Sequence, residues 1–156
     1  MEVRWLALAA ATGAACTLAV TAAVGQGSDP GTLHATLLGT KEVGSDGSKG
    51  AGDRDGRGGA TAVLEGRRLC IGVVVRDIGE PVQAHIHTGG ANVAGPVLVT
   101  IKAPTRGDPG AASGCVRLTD RQARAIAADP SGFYVNVHTG DFPGGAVRGQ
   151  LFARSR

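Results

Sequence analysis

Ala60-Thr61-Ala62-Val63-Leu64-Glu65, then Gly66-Arg67, then Arg68-Leu69-Cys70-Ile71-Gly72-Val73-Val74-Val75 is the stretch that decides the fold class. Its two β-branched, apolar runs are separated by a two-residue break that begins with glycine, the spacing of a tight hairpin. The second run, extended to Ile78, is the most apolar in the chain and is expected to be a central strand. Further short runs of the same kind lie on either side: Thr32–Leu38, Pro81–Thr88, Pro96–Ala103, Cys115–Leu118, Gly132–Thr139 and Ala146–Ala153. Glycine-rich breaks punctuate them, above all Gly39–Gly59, which reads as a surface loop, and Gly89–Gly95. About eight short strands with turn signals between them predict an all-β fold: an antiparallel β-sandwich or flattened barrel of Greek-key-like order. One short helix interrupts it. Thr119 can cap that helix, Gln122 stands three residues on as in a capping box, and Leu118 can staple against Ala123. The helix then runs from Arg121 to Ala128 and stops at Asp129-Pro130.

The N-terminus carries a different signal. Arg4 precedes an apolar and small-residue run from Trp5 to Val24, followed by polar Gly25–Pro30. A charged start, an apolar centre and a small-residue exit describe a signal peptide over residues 1–25. An uncleaved anchor is the alternative, since ~20 apolar residues span a bilayer. Cys16 does not fit a lipidated cysteine, because Gly13 stands where a branched aliphatic residue is wanted. After a short linker over 26–31, one β domain occupies 32–153 and a tail 154–156. The chain is therefore expected to be secreted or held at the cell envelope.

The chain has 156 residues, a formal charge of +3 and 3% aromatic residues. Neither a concentrated basic face nor a set of stacking aromatics is present in the sequence, which argues against nucleic acid as a partner. Past the signal only Cys70 and Cys115 remain, and an even remainder in an oxidising compartment reads as a disulfide. Asp53-Arg54-Asp55-Gly56 resembles the start of a calcium loop, but the twelfth position, which an EF-hand fills with glutamate, is Leu64. No nucleophile elbow, phosphate-cradling loop or thiol redox pair occurs.

Two segments differ from routine strand sequence. One is Ala84-His85-Ile86-His87, closed by Gly95-Pro96-Val97. The other is Tyr134-Val135-Asn136-Val137-His138-Thr139, followed by Pro143-Gly144-Gly145-Ala146-Val147-Arg148-Gly149-Gln150-Leu151. Together with the opening Leu37-Leu38-Gly39-Thr40-Lys41-Glu42-Val43, they resemble the CHRD domain, first described in chordin and found in many bacterial exported proteins. The resemblance spans residues 32 to 153. Val43-Gly44 departs from it, since the family often has a proline-containing turn there. It implies a non-catalytic binding or structural module with an unknown protein or envelope ligand. A lone domain does not inherit the growth-factor ligand of chordin, whose CHRD domains accompany other repeats.

The alternation of strand side chains places His85 and His87 on one face of their strand and Val82, Ala84 and Ile86 on the other. Tyr134, Asn136 and His138 are split in the same way from Phe133, Val135 and Val137, and Arg148 and Gln150 from Val147, Gly149 and Leu151. The polar cluster His85, His87, Asn136, His138 and Arg148 is thus expected on faces that point away from the core. The role it predicts is a hydrogen-bond network, joined by Thr139, that ties loops to the sheet and needs no cofactor. The alternative is a copper or zinc site of His85, His87 and His138, because a His-x-His pair on a strand sets two imidazoles side by side. That pair is similar to the copper pair of copper-zinc superoxide dismutases, although the long metal-binding loop of that family has no counterpart here.

Overall fold

The structure, a computed structural model, describes residues 31–105 and 110–153. The expected signal, anchor, Cys16, nearly all of the linker, and the tail lie outside the described residues. Among the described residues nine strands and one α-helix follow in chain order: β1 Gly31–Leu38, β2 Arg57–Glu65, β3 Arg68–Arg76, β4 Pro81–Thr88, β5 Val97–Ile101, β6 Gly110–Arg117, α1 Asp120–Ala128, β7 Phe133–Thr139, β8 Val147–Gln150 and β9 Phe152–Ala153. All pairings are antiparallel, in the order β5-β4-β7-β8-β1-β2-β3-β6, with β9 alongside β1. The sheet curls into a nearly closed barrel, and β6 at one edge nears the end of β5 at the other, where Gly114 faces Lys102.

The hairpin forms as its sequence dictates. Glu65 pairs with Arg68 across Gly66-Arg67, and Gly66 takes a positive φ of 55° that costs a glycine little. Leu69, Ile71, Val73 and Val75 of β3 face the core, against Leu33, Ala35 and Leu37 of β1 and Ile86 and Val135 from the far side. Burial of each such aliphatic side chain contributes roughly 1.5–3 kcal/mol. Cys70 and Cys115 stand directly opposite each other in the β3–β6 register and form the disulfide. Helix α1 has its capping box, with Gln122 N donating to Thr119 Oγ1 and Thr119 N to Gln122 Oε1. Leu118, Ala123 and Ile126 anchor it to the core.

Several boundaries differ from the sequence reading. β2 starts at Arg57, inside the glycine-rich loop, because Gly58 and Gly59 pair with Val75 and Val74. A Cβ at Gly58 would meet Val74 O, so that pairing requires glycine there. β3 is paired on both sides but lies one strand from the edge, not at the centre, and it ends at Arg76. β6 is twice the expected length. The final run breaks at Leu151, whose N–H turns to Phe133 O, leaving β8 and β9 as two short strands.

Candidate functional site

Strands β4, β7 and β8 are neighbours, and their register aligns the polar residues in rows. Asn136 pairs with His85 on one side and Arg148 on the other; Tyr134 pairs with His87 and Gln150; His138 pairs with Gln83. The intervening residues Ala84, Ile86, Val135, Val137 and Val147 face the core. Both faces of β7 are nonetheless buried from end to end. Asn136 and Arg148 are each 1% exposed, against the sequence expectation of a merely non-core face.

Loops cover that face, and the polar side chains hold them there. His87 Nδ1 lies 2.9 Å from Gly95 O, and His138 Nδ1 lies 2.9 Å from Pro143 O. Arg148 Nη2 donates to Gly90 O at 2.7 Å, and Gln150 Nε2 to Gly89 O at 2.9 Å. Tyr134 Oη accepts from Gly95 N at 3.1 Å. The segment after β1 closes the remaining side: Asp53 N donates to Ala146 O, and Glu42 is buried beside Asn136 and Gly145. Gly145, at φ 137°, lies so close to Glu42 Oε2 and the Asn136 amide that a Cβ would collide with both. Thr139 is buried as well, and its Oγ1 accepts from Phe142 N, closing the turn after β7. A cleft of about 410 Å³ remains between these loops, bordered by Glu42, His87, Tyr134, Asn136 and Gly145.

The carbonyl acceptors fix the histidine tautomers. A carbonyl only accepts, so His87 and His138 carry their protons on Nδ1 and present lone pairs at Nε2. His138 Nε2 meets His85 Nδ1 at 3.0 Å. His87 Nε2 is buried and has no hydrogen-bond partner. One ring nitrogen from each of His85, His87 and His138 lies within 4.8 Å of the others. A metal bound at about 2.0–2.1 Å from each sets its donors roughly 3.4 Å apart, so the His85–His138 pair at 3.0 Å must open a little and the wider separations must close as the rings rotate.

The surroundings of His85 and His87 disfavour their charged forms. Burial, followed by the neighbouring imidazoles, holds His85 below the usual histidine range. Burial also lowers His87; the Gly95 hydrogen bond opposes this, while His138 and the Arg148 cation add to it. Tyr134 stacks on His87 with ring centres 4.8 Å apart and 10° between planes, and the Arg148 guanidinium carbon is 3.5 Å from the Tyr134 ring centre. Since β7 lies between β4 and β8, imidazole and cation reach Tyr134 from opposite sides. Burial lowers Arg148 too, and Tyr134 and Glu42 oppose that shift. Glu42 is pushed above the ordinary glutamate range by burial, against the Val43 N–H, Arg148 and Asn136.

The sequence named five cluster residues, and all five fall in this one patch. It missed Glu42, which reaches the patch from the segment after β1, and Tyr134, whose ring links His87 to Arg148. Strand alternation placed Tyr134 on the polar face, which was the available signal; Glu42 gave none, because a loop brings it in. No curated protein and no solved structure matches the chain. A family model, the CHRD domain, matches residues 33–151. That match covers every residue of the patch, and the chain belongs to the CHRD domain family.

Proposed function

We propose that this CHRD domain is an exported, non-catalytic binding module whose ligand is one copper or zinc ion, held by His85, His87 and His138. The observation that carries the reading is the buried, unpartnered Nε2 of His87 beside two further imidazole nitrogens. An unsatisfied buried acceptor costs about 1–3 kcal/mol, and a cation at that point removes the cost. Gly95 O and Pro143 O are the outer partners that orient liganding histidines, so the loop-fastening network also aims the nitrogens. Imidazole donors suit copper and zinc. The ion would take the place of the proton that His85 and His138 share. The apolar Trp5–Val24 run and the Cys70–Cys115 bridge support export.

A second reading, that the histidines only fasten loops, is favoured by the 3.0 Å His85–His138 contact, which closes the group on itself. Thermal unfolding of metal-free protein with added Zn(II) or Cu(II) separates the two, because a ligand of the folded state stabilises it by mass action. The metal reading expects the parent melting temperature to rise by several degrees and His87→Gln to abolish the rise. A parent indifferent to both ions, with His87→Gln less stable whatever is added, would leave loop fastening as the function.

A further inference from the structure

We propose that the histidine site, taking the metal reading above as its basis, selects a monovalent ion, cuprous copper, over divalent ions, and that Arg148 sets this preference. Four observations lead there. The three donors are imidazoles, which ligate without bringing a negative charge, and among the described residues no carboxylate or thiolate joins their group. Two of the rings, His87 and His138, are buried, so an ion there gives up most of its water. Arg148 is buried on the adjoining strand but one, with Asn136 between it and His85 in the register; that spacing is roughly 10 Å between Cα atoms. Its guanidinium lies against Tyr134, the ring on which His87 stacks.

The nearest acid offsets this field only in part. Glu42 interacts with Arg148, but burial raises its pKa and weakens that offset. Asp141, which borders the cleft, is exposed, and solvent screens it. Arg148 Nη1 has no hydrogen-bond partner, so its charge is incompletely balanced. Going from a monovalent to a divalent ion doubles the repulsion from Arg148 and quadruples the Born cost of desolvation. Three imidazoles satisfy a cuprous ion, whereas zinc and cupric ions call for a fourth ligand, which here would be water or a loop group.

The experiment compares charges at matched electronic structure. Ag(I) and Zn(II) are both closed-shell d10 ions, and Cu(I) and Cu(II) can be compared by chelator competition, the former under anaerobic ascorbate. The protein carries Cys16→Ser throughout, so that no free thiol captures soft ions, and His87→Gln marks binding outside the site. We expect Ag(I) and Cu(I) to bind more tightly than Zn(II). Arg148→Gln should lower the Cu(I):Cu(II) affinity ratio by about tenfold or more, while Arg148→Lys keeps it near the parent value. If Arg148→Gln does not fold, the parent comparison of Ag(I) with Zn(II) decides alone. Tight Zn(II) and Cu(II) binding with weak Cu(I), or a ratio unmoved in folded Arg148→Gln, would overturn the selectivity and leave the metal site standing. Failure of every ion to bind would overturn both.

Discussion

The barrel has two kinds of wall. On the β2–β3–β6 side the strands alternate in the ordinary way, with Leu69, Ile71 and Val73 inward and residues such as Val74, about half exposed, outward. On the β4–β7–β8 side the central strand β7 is buried on both faces, the inner packed by aliphatic side chains and the outer covered by loops over a polar layer. The first wall is held by apolar burial and one covalent link. The second is held by hydrogen bonds from side chains to loop carbonyls, which leave four buried polar atoms without partners. A wall that serves only the fold has no reason to keep such atoms, each of which destabilises it. Their concentration on one side separates the part of the sheet that carries the barrel from the part that carries a site.

The largest expected effect lies on the simple wall. The Cys70–Cys115 bridge spans 45 residues of sequence, and in the chain-entropy model closing such a loop stabilises the fold by about 4 kcal/mol. Replacing both cysteines by serine should lower stability by that order in denaturant titration, while spectroscopic metal titration still finds an intact histidine site. If loss of the bridge disturbs the site as much as the stability, the two walls are not separable.

The second prediction exploits two adjacent glycines in the turn before β8. Gly145 has φ 137° and contacts Glu42 and Asn136; Gly144 has open space where a Cβ would go. Gly145→Val should therefore destabilise by about 3 kcal/mol, from backbone strain plus displacement of buried polar groups. Gly144→Val should stay within about 0.5 kcal/mol of the parent, as surface changes do. Equal losses at the two positions would show that the turn itself, and not its contact with Glu42, is the constraint.

The two walls were unequally legible in the sequence. Local patterning sufficed for the β2–β3 hairpin, the disulfide and the cap of α1, because each depends on residues a few positions apart or on an even cysteine count. Alternation also placed His85, His87, Asn136, His138 and Arg148 on the faces they occupy. It could not reveal that those faces are buried, since the covering segments around Glu42, Gly90 and Pro143 are loops whose course depends on tertiary contacts. For the same physical reason the start of β2 escaped notice. Gly58 and Gly59 look like loop residues, yet they pair as strand residues, and the neighbouring backbone comes so close to Gly58 that only glycine permits the pairing there.

The smallest expected effect concerns Glu42 and reads the polar wall through its pH dependence. Burial, the largest influence, raises the Glu42 pKa above its ordinary value of 4.5, while the Val43 N–H, Arg148 and Asn136 oppose the rise. The folded state thus holds this proton more tightly than the unfolded chain. Its stabilising contribution is complete below pH 4.5 and is lost as pH rises through the folded-state value. His85 and His87 act in the opposite sense: their pKa values are lowered, so their contribution is present above the ordinary histidine value and fades as the pH falls through the folded ones. Comparing Glu42→Gln with the parent isolates the carboxyl, because both proteins share the histidine slope. The substituted amide can still accept from Val43 N, and it has no proton to lose. The expected result is that the stability of the variant relative to the parent improves steadily from pH 4 toward neutrality, measured as melting temperature in metal-free buffer. A constant difference across that range would mean that Glu42 is as well solvated as an exposed acid. The second wall would then be open to water, and the unpartnered His87 nitrogen would no longer call for a cation.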